Sequence, residues 1–369
     1  MSDQTYRLYA WPLSLYSGKT RAYLRYKGIH FVEKSISLFT FAEIKKHTGA
    51  KVMPVVVTPE GEWLQDSSHI IDVLEARFPS APVLPATPRQ RMASMLLEAW
   101  GDEFWLPSAM HYRWNFPENY KDLFEPEAGK HLLPFAPRFA RNAAAEKAAR
   151  LMRSYLPLLG VVPAQLSAVE AWTTALCDAL DSHFAHHRYL LGSKPCTGDF
   201  GLIGPLFAHL GRDPYPARTL IAPRKHLQAW VARMQRPEHP RGGHFLPDDE
   251  VPASLGPMLD SVFQEFLPCL QKTLLQVQDA AVALAPGQAF KRSMGSIEFP
   301  LGGTLFRRNA MPYSLWMAQR ALDGYRQLSA IDRKQAGNWL EEVGGSAMLD
   351  LAITPRLARR GLHVLPEAP

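Results

Sequence analysis

Residues 52–71 read Val52-Met53-Pro54-Val55-Val56-Val57-Thr58-Pro59-Glu60-Gly61-Glu62-Trp63-Leu64-Gln65-Asp66-Ser67-Ser68-His69-Ile70-Ile71. The β-branched run opened by Pro54 is a compact strand, Pro59-Glu60-Gly61 is a hairpin turn, and Glu62-Trp63-Leu64 is the returning strand. From Ser67 onward, Ile70, Ile71, Leu74 and Phe78 fall on one face of a helix. Upstream, residues 6–11 form an aromatic-rich strand closed by Pro12, and residues 17–27 a helix stopped by Gly28. A second strand at 30–36 and a short helix at 41–47 follow. The order βαβαββα predicts a mixed sheet with helices on its faces.

Downstream, Pro79, Pro82, Pro85 and Pro88 recur every three residues. Such a stretch cannot enter a sheet or a helix interior, so it reads as a stiff linker and a domain boundary. Beyond it strand signals nearly vanish, and helical periodicity runs through 92–104, 145–158, 168–184, 200–210 and 223–234. A Pro/Gly-rich break at 237–257 precedes a further unit. That unit has a long helix at 258–284, a glycine-broken stretch at 295–306, and helices at 313–328 and 331–343. No internal repeat is visible.

Of the 369 residues, 47% are hydrophobic and 21% charged, enough to bury a large core. The first residues lack a basic segment followed by an apolar one, so no secretory signal is expected. No apolar run approaches the ~18 residues that span a bilayer, and the expected location is cytoplasmic, with no membrane partner. The net charge of +6 reads as a solvated basic face. No zinc-finger spacing or RNP-type strand points to nucleic acid, so no nucleic-acid partner is expected. Cys177, Cys196 and Cys269 are too few and scattered for a disulfide framework or a zinc site. Asp178, Asp181, His183, His186 and His187 resemble a metal set only on paper, because the histidines fan away from the face the two aspartates share. No metal is expected. A G-x-S-x-G elbow, a P-loop and a dinucleotide fingerprint are all missing from the sequence.

The Val52-Met53-Pro54-Val55-Val56 stretch resembles the cis-proline element of thioredoxin-fold glutathione-binding domains. Gln65-Asp66-Ser67-Ser68-His69-Ile70-Ile71 resembles their (E/D)-S-x-x-I helix start, and Arg77-Phe78-Pro79 their exit into the linker. Tyr189-Leu190-Leu191-Gly192-Ser193-Lys194-Pro195-Cys196-Thr197-Gly198-Asp199-Phe200 looks like the turn before the central helix of the glutathione S-transferase helical domain. Together these cover roughly residues 5–240 and resemble a serine-type, zeta- or omega-like glutathione S-transferase. The resemblance implies a thioredoxin-like glutathione-binding domain at 1–79, a Pro-rich linker at 80–88 and an all-α substrate domain at 89–245. A mainly helical extension at 246–369 lies outside the usual family pattern. It also implies glutathione as co-substrate, a small apolar electrophile, a detoxification-type conjugation or a related lyase or isomerase reaction, and a homodimer. The alternative is a non-catalytic ligand-binding or protein-interaction module on the same fold.

In such a domain the backbone of Met53, ahead of a cis Pro54, pairs with the cysteinyl backbone of glutathione. Asp66 and Ser67 stand at a helix N-terminus, where free N–H groups and the dipole favour the γ-glutamyl carboxylate; either residue also serves as a plain N-cap. Counting back from Lys19-Thr20-Arg21, Ser14 falls where the omega class carries cysteine and the zeta class serine, with Ser17 and Tyr16 as the other candidate hydroxyls. A hydroxyl donating to the glutathione sulfur favours thiolate over thiol, and lowering a thiol pKa by about two units takes ~2.7 kcal/mol. With no cysteine near residues 11–21, exchange chemistry that needs an attacking protein thiolate is disfavoured. Trp105, His111, Tyr112 and Arg113 are the candidate wall for the electrophile, and core packing is the competing reading for this segment. Two departures from the pattern stand out: an extra residue in Lys51-Val52-Met53-Pro54, and Cys196 where a Ser or Thr cap is usual.

Overall fold

The computed structural model describes residues 5–236 and 243–367. It opens with β1 (Tyr6–Ala10), α1 (Leu15–Lys27), β2 (Phe31–Ser35), α2 (Leu38–Thr48), β3 (Val55–Val57), β4 (Trp63–Gln65) and α3 (Ser67–Arg77). Helices α4 (Pro88–Glu103), α5 (Leu106–Trp114), α6 (Glu125–Leu132), α7 (Arg138–Arg153), α8 (Leu166–Phe184), α9 (Thr197–Pro205), the single turn α10 (Pro214–Pro216) and α11 (Lys225–Gln235) follow. The last part holds α12 (Gly256–Ser261), α13 (Leu267–Ala281), β5 (Ser296–Leu301), β6 (Thr304–Asn309), α14 (Pro312–Arg326), α15 (Ala330–Glu342), β7 (Leu357–Arg360) and β8 (His363–Pro366).

The chain forms two compact units. One comprises Met1–Val83, Ala109–Tyr155 and Leu202–Gly242; the other comprises Leu84–Ser108, Leu156–Gly201 and Gly243–Pro369. These units interleave along the chain, whereas the sequence reading divides it into consecutive stretches.

The first unit carries a four-stranded sheet in the order β2-β1-β3-β4. β1 runs parallel to β2 and antiparallel to β3, and β3 pairs antiparallel with β4. This is the expected βαβαββα thioredoxin-like arrangement. Its core is made by Leu8, Tyr23, Leu24, Ile44, Val55, Val56, Val57, Ile70 and Leu74, all closed to solvent. Local chemistry sets the ends of the elements. Gly28 closes α1 at φ 66°, a left-handed conformation that costs glycine little. Ser37 and Thr40 form a reciprocal capping box that starts α2.

The second unit is built on a cluster of aromatic rings: Trp105 lies 5.5 Å from Trp100 and 4.9 Å from Trp172, and Phe104 lies 5.2 Å from Phe266. Cys177, Cys196 and Cys269 are all buried in this unit. Ahead of α9, Asp199 accepts from the Cys196 and Leu190 amides at 2.9 and 3.2 Å. Half of the capping box therefore survives the missing Ser or Thr hydroxyl.

The extension is less uniformly helical than expected. The glycine-broken stretch is the hairpin β5–β6, turning at Gly302-Gly303, and β7–β8 is a second hairpin. Ile297, Phe299 and Leu301 point inward at every second position, a period-two signal obscured by Pro300. The long helix at 258–284 is interrupted by a π-helical turn over Val262–Phe266 between α12 and α13. Pro88, taken as the end of the linker, is the first residue of α4, where a missing N–H costs nothing.

Candidate functional site

The turn between β1 and α1 is fixed from several sides. Ser14 N–H donates to the Trp11 carbonyl at 3.2 Å, and the Trp11 indole N–H donates to the Ile36 carbonyl at 2.7 Å. The Trp11 amide donates to Ser17 Oγ at 3.4 Å. Ser14 is the N-cap of α1, its Oγ accepting from the Ser17 amide at 3.3 Å. That bond uses a lone pair and leaves the Ser14 O–H proton free to donate outward, so capping and thiolate stabilisation are compatible. Ser14 and Tyr16 are half-buried, whereas Ser17 is fully enclosed and ties the end of β1 to α1.

The same turn is held from below by Arg113. Its Nε and Nη2 form a two-pronged pair with Asp213 at 2.9 and 2.8 Å, Nη1 donates to the Leu13 carbonyl at 2.5 Å, and Nη2 also reaches the Ala208 carbonyl. Arg113 is 2% exposed and Asp213 is closed to solvent. Burial holds the Asp213 carboxyl above its ordinary range, against the opposing pull of the guanidinium. Arg113 thereby fixes the carbonyl next to Ser14 from inside the unit.

The Met53–Pro54 peptide is cis. Met53 is half-buried, and neither its N–H nor its C=O has a hydrogen-bond partner among the described residues. Asp66 caps α3, its Oδ1 accepting from the His69 amide at 3.0 Å. It does so at φ 86°, ψ 127°, a conformation costing a non-glycine residue about 1–3 kcal/mol and concentrated at ligand sites. Next to it, Ser67 is 5% exposed, and neither its amide nor its hydroxyl is bonded among the described residues. Lys19, closed to solvent, donates to Ser68 Oγ at 2.8 Å. Nothing in the local sequence marks Lys19, because its partner lies 49 residues away.

The four residues expected to face an electrophile lie in the interior. Trp105 is enclosed by the indoles of the second unit. In the first unit, His111 Nδ1 bonds the Asn115 amide group at 2.8 Å, and Tyr112 stacks on Phe116 at 5.6 Å. Arg113 is committed as described. All four are at most 3% exposed. His131, which the sequence did not single out, lies nearer the turn: its ring stacks on Trp11 at 6.0 Å and Nδ1 bonds Ser35 Oγ. Burial lowers its pKa, favouring the neutral ring. Among the described residues no group of His, Cys, Asp and Glu is arranged to hold a metal. No helix among the described residues is long and apolar enough to cross a membrane.

Residues 8–82 match the family model for the glutathione S-transferase N-terminal domain, and this segment is such a domain. Among solved structures, the chain is similar to a glutathione S-transferase from Methylobacterium radiotolerans in complex with glutathione sulfonate (20% identity, 63% of this chain and 90% of that one, TM-score 0.39). It is also similar to a glutathione S-transferase from Rhodospirillum rubrum F11 (16%, 67% and 96%, 0.38) and a beta-etherase from Sphingobium sp. strain SYK-6 (20%, 64% and 96%, 0.40). A search of curated proteins gave no match.

Proposed function

We propose that this protein is a glutathione transferase that joins the glutathione thiolate to a small apolar electrophile. The observation that carries the reading is Ser67, whose amide and hydroxyl are both unbonded at the start of α3. The γ-glutamyl end of glutathione bears a carboxylate and an ammonium. The carboxylate would accept from Ser67 N–H and Oγ, helped by the helix dipole. The ammonium would meet the Asp66 carboxylate. The unpartnered N–H and C=O of Met53 suit the cysteinyl backbone, and the Ser14 O–H is the donor for the sulfur. Ser14 is favoured over Ser17, whose hydroxyl is enclosed, while Tyr16 is a further half-buried hydroxyl on the same turn. One charge-assisted hydrogen bond and the N-terminus of α1 together supply the ~2.7 kcal/mol that two units of thiol acidity require.

The test is retention on immobilised glutathione together with conjugation of a generic aryl halide. Wild type should do both, and Ser14→Ala should be retained but conjugate at least tenfold more slowly at neutral pH. Absence of retention overturns the proposal. We also propose the homodimer common to such transferases; a monomer mass in light scattering at micromolar concentration would rule it out.

A further inference from the structure

We propose that the tip of the α6–α7 hairpin docks on an anionic lipid surface. Two helices of the first unit, α6 and α7, are joined by Leu133-Pro134-Phe135-Ala136-Pro137. At this tip Phe135 is 97% exposed and Phe139 77%. Burying one phenylalanine is ordinarily worth about 1.5–3 kcal/mol, so two rings held in water within five residues are a costly feature for a loop to carry unless something covers them.

The loop is also built to hold its shape. Ala136 N–H donates to the Leu133 carbonyl at 3.2 Å, and Leu133 N–H to the Gly129 carbonyl at 3.1 Å. Arg141 reaches back from α7 with Nε on the Leu133 carbonyl at 3.2 Å and Nη2 on the Pro134 carbonyl. The helices touch at Gly129, where a Cβ would lie 2.8 Å from the Arg141 carbonyl oxygen. Two prolines stiffen what remains, so little ordering is left to be done on docking.

Charge selects the occupant. Between Glu127 and Glu146 the chain carries no acidic residue and three cations, Lys130, Arg138 and Arg141. Lys130 and Arg138 are exposed and have no ion-pair partner among the described residues. They stand on the last turn of α6 and the first residue of α7, behind the apex that bears Phe135. A surface that is negative outside and apolar a few ångströms deeper matches that order, with cations at the headgroups and rings at the acyl boundary. The absence of a bilayer-spanning stretch does not bear on such a contact, which needs only a loop.

The experiment is co-sedimentation of the full chain with phosphatidylcholine vesicles, with and without 30% phosphatidylserine, at about 0.15 M salt. A basic residue near the surface contributes about fivefold in affinity, so three should give on the order of a hundredfold preference for the anionic vesicles. Lys130→Glu with Arg138→Glu should abolish that preference, and Phe135→Ser with Phe139→Ser should cut binding at least tenfold with an unchanged thermal melt. Because the native cysteines are buried, Phe135→Cys takes an environment-sensitive label at one site, and its emission should shift blue on anionic vesicles. The proposal is overturned by any of three results: no sedimentation with anionic vesicles, wild-type binding by the double serine variant, or a serine variant that instead converts a dimer to a monomer in light scattering.

Discussion

Replacing Arg113 with methionine removes one half of a buried ion pair and keeps the volume. Asp213 then has no guanidinium, and burial already holds its carboxyl high. It will fold in the protonated form rather than remain a buried anion. Keeping an acid of unfolded pKa about 3.9 neutral costs ~1.4 kcal/mol for each pH unit above that value. This comes to about 4 kcal/mol at pH 7 and about 1.5 kcal/mol at pH 5. The Leu13 and Ala208 carbonyls lose a donor as well, a pH-independent loss of about 1–2 kcal/mol. The sign follows from linkage: a folded-state pKa raised above the unfolded one gives a penalty that is absent below the unfolded pKa and grows as pH rises. Burial already raises Asp213 in wild type, so part of this cost is common to both proteins, and urea denaturation of Arg113→Met should show a deficit of at most about 5 kcal/mol at pH 7 that shrinks as the pH falls to 5. Arg113→Met with Asp213→Asn removes the charge from both sides and should regain about 2 kcal/mol or more at pH 7, losing the pH slope. The reasoning fails if the single variant has the same deficit at both pH values, or if the double variant is no more stable than the single one.

Other outcomes follow from the same geometry. Ser14→Ala should cost about 1 kcal/mol as a lost N-cap, and it should move the acid-side limb of the conjugation rate, where the thiol ionises, towards higher pH by one to two units; an unshifted profile would exclude Ser14 as the sulfur donor. Asp66→Gly should relieve the φ 86° conformation while losing only a few tenths of a kcal/mol of capping. Its thermal midpoint should hold or rise while elution from immobilised glutathione comes earlier, and a fall in both would show that Asp66 is a structural cap alone. His183 is buried with its pKa lowered to about 4, through burial first and the neighbouring His187 second, while its bond to the Tyr189 carbonyl pulls the other way. Because the folded pKa is depressed, its contribution is complete above about pH 6.5 and is lost as pH falls towards 4. The stability difference between wild type and His183→Gln should change by about 3 kcal/mol over that window, and a constant difference would refute the assignment.

The thioredoxin-like sheet was legible because its signals are local: Pro54 at the opening of β3, the Pro59-Glu60-Gly61 turn, Gly28 behind α1 and the Ser67 start of α3 each act within a few residues. Most helix positions beyond residue 89 were legible for the same reason, α6 (Glu125–Leu132) excepted. What those helices pack against was not, since a period of 3.6 states which face is buried and not its partner. Thus Arg113 looked like a ligand-facing charge until Asp213, a hundred residues on, was found beside it. Lys19 and His131 escaped notice because Ser68, Ser35 and Trp11 lie far from them in sequence. The β5–β6 hairpin did leave a trace in the alternation of Ile297, Phe299 and Leu301, which Pro300 and the flanking glycines obscured, so the stretch read only as glycine-broken.

The burial of Cys177, Cys196 and Cys269 bears on how a glutathione transferase, as proposed for this chain, would fare beside oxidised glutathione. A cell compartment rich in glutathione also holds its disulfide, and an exposed thiolate exchanges with it to give a mixed disulfide. Burial raises the thiols of Cys196 and Cys269 and keeps them protonated, and it denies all three the in-line approach that exchange needs. Under the proposed function the bound glutathione would be the reactive sulfur and the chain would offer none of its own, so activity should be indifferent to the ratio of reduced to oxidised glutathione except through occupancy of the site.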